Sequence, residues 1–200
     1  MKIIGITGGV GCGKSTVLKL IEENFNALVI MADDVAKELM EPGNPGYEQT
    51  VAFFGEDILE RTDEAVRRID RKHLSDIVFS NPNKRIVLNS IVHPLVKKEI
   101  VARITREKIN GEYDFIFIEA ALLLDDHYEV FCDEIWYIYA DEKTRRSRLK
   151  DARGYSDAKI DGIIASQLTE EEFRNRCTRI IDNSGGLAET YCSLVNLLQV

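Results

Sequence analysis

Residues Gly8–Ser15 read G-G-V-G-C-G-K-S and follow the apolar run Ile3-Ile4-Gly5-Ile6 with only Thr7 between. No other stretch constrains the fold as much, because G-x-x-x-x-G-K-[ST] works only as a strand, a tight glycine turn and a helix in succession. The glycines let backbone N–H groups curl around a polyphosphate without Cβ clashes. The helix expected to start near Lys14, read over Thr16–Glu23, aims its N-terminal dipole at the same anion. Lys14 is expected to reach the β- and γ-phosphates, and the Ser15 hydroxyl to hold Mg²⁺. Gly8, Gly9, Val10, Gly11, Cys12, Gly13, Lys14, Ser15 and Thr16 are thus the expected triphosphate-binding residues. The chain is read as binding a nucleoside triphosphate.

Composition narrows the remaining classes. Two hundred residues with 44% apolar content can bury a substantial core. A net charge of −8 argues against non-specific nucleic-acid binding. Met1-Lys2-Ile3 leads straight into the first strand, so no signal or transit peptide is expected. No apolar stretch approaches the roughly 18–20 residues of a membrane helix. Cys12, Cys132, Cys177 and Cys192 form no C-x-x-C pair, which indicates neither zinc nor disulfides and points to a reducing cytoplasm. Cys12 reads either as an oxidisable thiol or as a small residue that fits the turn.

Four further β-like runs follow: Ala27–Met31, Asp114–Glu119, Glu134–Tyr139 and Arg179–Ile181. The central ones are apolar at consecutive positions, as in strands buried on both faces of a parallel sheet. Helical patterns separate them, which predicts an α/β fold with a five-stranded parallel sheet. Two stretches exceed this core. The span 35–110 reads as helical, with a first helix over Asp34–Met40, a turn at Pro42–Gly46, and helix starts at Asn81-Pro82 and His93-Pro94. Such an insertion is a candidate lobe for a second substrate. The span 143–168 carries Lys143, Arg145, Arg146, Arg148, Lys150 and Arg153, and reads as a basic helical hairpin that is either a lid over the triphosphate or a solvated helix face. A capping box at Thr169–Glu172 starts the next helix. The nucleotide-binding core is then 1–34, 111–142 and 169–200.

Acidic residues suggest the reaction. The second strand runs into Asp33-Asp34 at the carboxyl edge, where open α/β sheets bind ligands. A kinase acting on a hydroxyl needs an acceptor for the leaving proton, and a carboxylate supplies one. Asp33 is read as that base, although Asp33 or Asp34 could instead cap the following helix. Glu119, at the end of the third strand, could orient a Mg²⁺-bound water, hold the acceptor, or bond to loop N–H groups. Two other readings remain open. One is a kinase for another hydroxyl acceptor such as a nucleoside; the other is a P-loop switch, for which no N-K-x-D-like motif is found.

Taken together, the residues resemble the dephospho-coenzyme A kinase family along nearly the whole chain. The likeness rests on the phosphate loop, Ala32-Asp33, Glu41-Pro42-Gly43, Phe53-Phe54-Gly55, Arg71-x-x-Leu74 and Leu88-Asn89 with His93-Pro94-Leu95. It continues through Ala121-Leu122-Leu123, Arg153, Gln167 and Ile181-Asp182-Asn183-Ser184-Gly185. The resemblance implies ATP- and Mg²⁺-dependent phosphorylation of the ribose 3′-hydroxyl of dephospho-coenzyme A. It also implies a fold like nucleoside monophosphate kinases, with a helical acceptor lobe and a lid. By position it implies Asp33 as base, Arg153 as a lid cation on the transferring phosphoryl group, and Asn183–Gly185 against the adenine. His93, Leu122 and Glu119 would face the acceptor, with His93 read alternatively as a helix-capping or packed histidine. A cytoplasmic monomer or weak homo-oligomer is expected, with no membrane or nucleic-acid partner. Four residues depart from the pattern: Met31 replaces the first aspartate of D-A-D, Ala121 stands where many members have proline, Asp125 where they have glutamate, and Cys12 replaces the usual serine.

Overall fold

A computed structural model describes residues 1–62, 65–121 and 123–198. The apolar runs form five strands, β1 (Lys2–Thr7), β2 (Ala27–Met31), β3 (Phe115–Glu119), β4 (Glu134–Tyr139) and β5 (Arg179–Asp182). They form one sheet in the order β2-β3-β1-β4-β5. Register is parallel at β1–β3 (Ile6 beside Glu119), β1–β4 (Thr7 beside Tyr137) and β4–β5 (Tyr139 beside Asp182). Thr7, Glu119, Tyr139 and Asp182 therefore mark one carboxyl edge. The central strands are buried along nearly their whole length, as consecutive apolar residues require when both faces are covered. Ile4, Ile6, Ile116, Phe117, Ile118 and Trp136 are almost fully enclosed. Phe117 and Trp136 meet edge to face at 5.6 Å, the arrangement their ring quadrupoles favour.

The chain divides into two compact units, 1–29 with 110–200, and 30–109. The first holds most of the sheet with helices α1 (Lys14–Asn24), α6 (Glu142–Arg153), α7 (Asp157–Ala165), α8 (Glu170–Arg176) and α9 (Leu187–Leu198). The expected capping box is present: Thr169 Oγ1 accepts from Glu172 N, and the Glu172 carboxylate accepts from Thr169 N. It fixes the start of α8 and so sets Phe173, whose ring stacks on Tyr137 at 4.7 Å.

The second unit contains α2 (Ala32–Leu39), α3 (Pro45–Phe54), α4 (Arg71–Ser80) and most of α5 (Pro82–Asn110). It has its own small core of Ile58, Leu59, Ile69 and Leu74, flanked by Tyr47, Phe54 and Leu88. One antiparallel bridge, Leu59 to Ile69, lies between the helices of this otherwise helical unit. Asn81 caps α5 as expected, its Oδ1 accepting from the N–H groups of Asn83 and Lys84.

Two sequence expectations are corrected. His93-Pro94 does not start a helix; Pro94 lies inside the 29-residue α5. Proline removes one N–H donor and crowds the preceding turn. The apolar spacing Val96, Ile100, Ile104 keeps one face buried beyond it, and the helix continues. The second correction concerns α2, which begins at Ala32 with Met31 as N-cap and no side-chain capping bond. Neither Asp33 nor Asp34 caps it. Both lie in its first turn, where carboxylates favour the helix dipole, and Asp34 pairs with Lys37 at 2.6 Å. Among the described residues no helix is long and apolar enough to cross a membrane.

Candidate active site

The phosphate loop joins β1 to α1 and is held by its own backbone. Cys12 N donates to Gly9 O, and Thr16 N and Val17 N donate to Gly13 O. Three glycines of the loop, Gly8, Gly11 and Gly13, have positive φ. Gly8 has φ 153°, and a Cβ on it would stand 2.5 Å from the Ile138 carbonyl oxygen. Gly13, the N-cap of α1, has φ 87°. A side chain at either position would shift the loop against β4 or strain the helix start. Cys12 lies under the turn, 2% exposed, with its sulfur against Gly8. Burial pushes its thiol pKa up, opposed by the Lys14 charge. Packing is therefore its role in the turn, and not that of an activated thiol.

Lys14 Nζ donates to Gly8 O at 2.8 Å and stands 3.8 Å from Glu119 Oε1. One ammonium thus spans the loop and the end of β3. Glu119 is 8% exposed, and its side chain lies beside Lys14 at the edge of the cradle. Ser15 and Thr16 are exposed in the first turn of α1, a helix with no acidic side chain there. The N-terminal dipole of α1 is thus left for an anion.

Helix α6 brings arginines to the same loop. Arg145 Nε donates to Val10 O at 3.0 Å, and its Nη2 to Gln167 Oε1 at 2.7 Å. Gln167 Oε1 also accepts from Val10 N. Arg148 donates to Cys12 O at 3.2 Å and to Asn183 O at 2.8 Å. Beside the loop lies a cleft of about 400 Å³ lined by Thr7, Gly8, Ala121, Leu124, Gln167 and Phe173, among others. The unit that carries β1 therefore combines an anion cradle, a lysine, a buried carboxylate and two arginines around one sheet edge, which suits phosphoryl transfer.

Comparison with known proteins agrees with that chemistry. A family model described as dephospho-CoA kinase matches residues 2–189. A dephospho-CoA kinase of Carboxydothermus hydrogenoformans is 36% identical over 199 residues, covering 100% of this chain and 94% of its own. The chain belongs to the dephospho-CoA kinase family. A crystal structure of a Thermus thermophilus protein superposes with TM-score 0.78 at 29% identity, covering 99% of this chain and 96% of its own. The dephospho-CoA kinase of Campylobacter jejuni shares the fold at TM-score 0.73 and 24% identity, covering 100% and 96%. The expected α/β P-loop kinase fold is therefore present, and the enzyme is an ATP-dependent kinase.

For a member of this family the remaining expected residues fall in different places. Asp33 is exposed on the first turn of α2, in the second unit. His93 is half-buried midway along α5. Arg153 ends α6, exposed, with its guanidinium 5.9 Å from the Tyr155 ring centre. Asn183 is buried, and its amide donates to Cys12 O at 2.8 Å. Gly185 is exposed beside the Glu189 carboxylate. Leu122 lies outside the described residues.

Arg145, Arg148 and Gln167 were not singled out from sequence as loop contacts. Their signal is the i, i+3 spacing of the two arginines beside buried Leu149, which sets both on one face of α6. Arg146 and Lys150 leave that face and pair instead with Asp161 and Asp157 of α7, at 2.6 and 2.7 Å.

Proposed function

We propose that this kinase transfers the γ-phosphoryl group of ATP to the ribose 3′-hydroxyl of dephospho-CoA, with Asp33 as the base. The reading is carried by one observation above the rest: Lys14, folded over Gly8 O and facing Glu119, inside a chain that matches the family from residue 2 to 189. The backbone of Gly8–Gly13, with Lys14 and Thr16, would hold the phosphates, and Arg145, Arg148 and Arg153 would face the charge that spreads over the transferring group. The span 35–110 would serve as the acceptor lobe, with His93, Leu122 and Glu119 toward the acceptor, and 143–168 as the lid. Asn183–Gly185 would lie against the adenine through backbone, since the Asn183 amide is engaged with the loop and Thr190.

The residues fit Mg²⁺. Ser15 offers a hydroxyl in the exposed first turn of α1, and Glu119 is the carboxylate beside Lys14. Among the described residues no group of three or more acidic, histidine or cysteine side chains forms a metal cage. Ser15 and the substrate's own phosphates would hold the ion. When bound, Mg²⁺ neutralises charge on the β- and γ-oxygens. Asp33 would orient the hydroxyl and take its proton, while closure of the basic hairpin excludes water. The four free thiols support a cytoplasmic setting.

The assignment of Asp33 is tested by Asp33→Asn, which keeps shape and removes the proton acceptor. Turnover should fall about 10²–10⁴-fold with ATP affinity little changed. Near-normal turnover would remove Asp33 from the base role.

A further inference from the structure

Behind the phosphate loop runs a buried hydrogen-bonded chain that begins at Thr190, a residue the reaction itself does not use. Thr190, on α9, is fully buried, and its hydroxyl donates to Asn183 Oδ1 at 2.9 Å. Asn183 is 2% exposed, and its Nδ2 donates to Cys12 O at 2.8 Å. Arg148 donates to the same Cys12 carbonyl, so two donors converge on it. The Asn183 main chain is fixed as well, its N–H donating to Tyr139 O at 2.8 Å beside β4.

A carboxamide can present either end to a neighbour. With Oδ1 toward Cys12 O two acceptors would face each other, at a cost that burial magnifies. The Cys12 carbonyl, which can only accept, therefore sets the orientation, and the Thr190 hydroxyl locks it by donating to Oδ1. Its alternative acceptor, Gly186 O, is farther at 3.4 Å. The consequence passes through one peptide plane. The Cys12–Gly13 bond is trans, so a Cys12 carbonyl held from one side directs the Gly13 N–H to the other. Gly13 is the residue whose left-handed backbone opens α1. A Cβ there would run into Asn183 Nδ2, so glycine and carboxamide are matched to each other.

We propose that Thr190 is a positioning residue for triphosphate binding: it anchors the Asn183 amide, which holds the Cys12 carbonyl and thereby turns the Gly13 N–H toward the phosphates. The proposal rests on the reading that this loop binds a triphosphate. Thr190 acts through Asn183 and the peptide and touches no substrate. The Asn183 backbone, proposed to meet the adenine, is held separately by its N–H to Tyr139 O, so the effect falls mainly on the phosphates and less on the base of the nucleotide.

The test is titration calorimetry of the full chain with ATP and with inorganic tripolyphosphate, each with Mg²⁺, for wild type, Thr190→Val, Thr190→Ser and Thr190→Cys. Removing the hydroxyl in Thr190→Val should weaken both ligands about tenfold. In the kinase assay the KM for ATP should rise by a similar factor while the KM for the acceptor stays within about twofold. Thr190→Ser should restore wild-type binding, and Thr190→Cys, a weaker donor, should lose about threefold. If Thr190→Val does not fold, the serine and cysteine variants carry the same comparison. Loss of ATP binding with tripolyphosphate binding intact would overturn the proposal and indicate a base contact. Wild-type binding in the valine variant, or in the cysteine variant if that one alone folds, would also overturn it. A wild-type protein that binds neither ligand would overturn the triphosphate reading, and the proposal with it.

Discussion

Lys14 contacts two oxygens of its own chain, the Gly8 carbonyl at 2.8 Å and the Glu119 carboxylate at 3.8 Å. An ammonium so held is oriented before any phosphate arrives, and preorganised charge is what stabilises a transferring phosphoryl group. Lys14→Met keeps the stem and removes the charge; kcat should fall about 10²–10³-fold, read by steady-state kinetics on folded protein. Cys12 gives a second prediction at this scale. Its raised pKa keeps the thiol protonated near neutral pH, so little thiolate is present to react. Cys132 and Cys177 are shifted the same way by burial, to about 12 and about 11, whereas Cys192 is exposed. Iodoacetamide on the native protein should therefore label Cys192 and spare Cys12, as peptide mass spectrometry would show. Raising the pH should increase labelling at Cys177 before Cys132, the direction set by their pKa values.

The elements show where sequence patterns suffice and where they do not. Thr169-Glu170-Glu171-Glu172 was readable as a helix start because the capping box is made within four residues, and it is present. Thr169→Ala should lower stability by about 1 kcal/mol in denaturant unfolding. The strands were readable too, since consecutive apolar residues have few other uses at that length. Pro94 is ambiguous in sequence because X-Pro marks either a helix start or a tolerated interior break. Only the buried stripe Val96, Ile100, Ile104 beyond it decides, and burial is a tertiary property. The α2 start is obscured for a related reason: its N-cap is Met31, a residue without a capping side chain, followed closely by two aspartates of a type that usually caps. The small core of the second unit rests on Leu74, 5% exposed among Ile58, Leu59 and Ile69. Leu74→Ala should cost about 2–5 kcal/mol, a cavity in a core too small to close over it.

At the scale of the molecule, the loop, the family and the fold class were legible because they depend on local motifs and on their order along the chain. The contacts of Arg145 and Arg148 with Val10 and Cys12 were not. They join residues about 135 positions apart, and nothing near either end announces the other. Asn183 is the instructive case. The sequence places it in a segment expected to meet the adenine, yet its amide is spent between Cys12 and Thr190. The sheet order β2-β3-β1-β4-β5 explains this, because it sets β5 beside β4 and brings the end of the chain to the loop at its beginning. One chain thus encloses its phosphate cradle with residues from both of its ends, and arginines of α6 add to the charge that Lys14 supplies there.

The most direct test of the account is a coupled ADP-release assay with ATP and Mg²⁺, comparing dephospho-CoA, adenosine and AMP as acceptors. The account predicts rapid ADP release with dephospho-CoA and only background with the other two or with none. Equal or greater turnover with adenosine or AMP, or no stimulation by dephospho-CoA in protein shown to bind ATP, would contradict it.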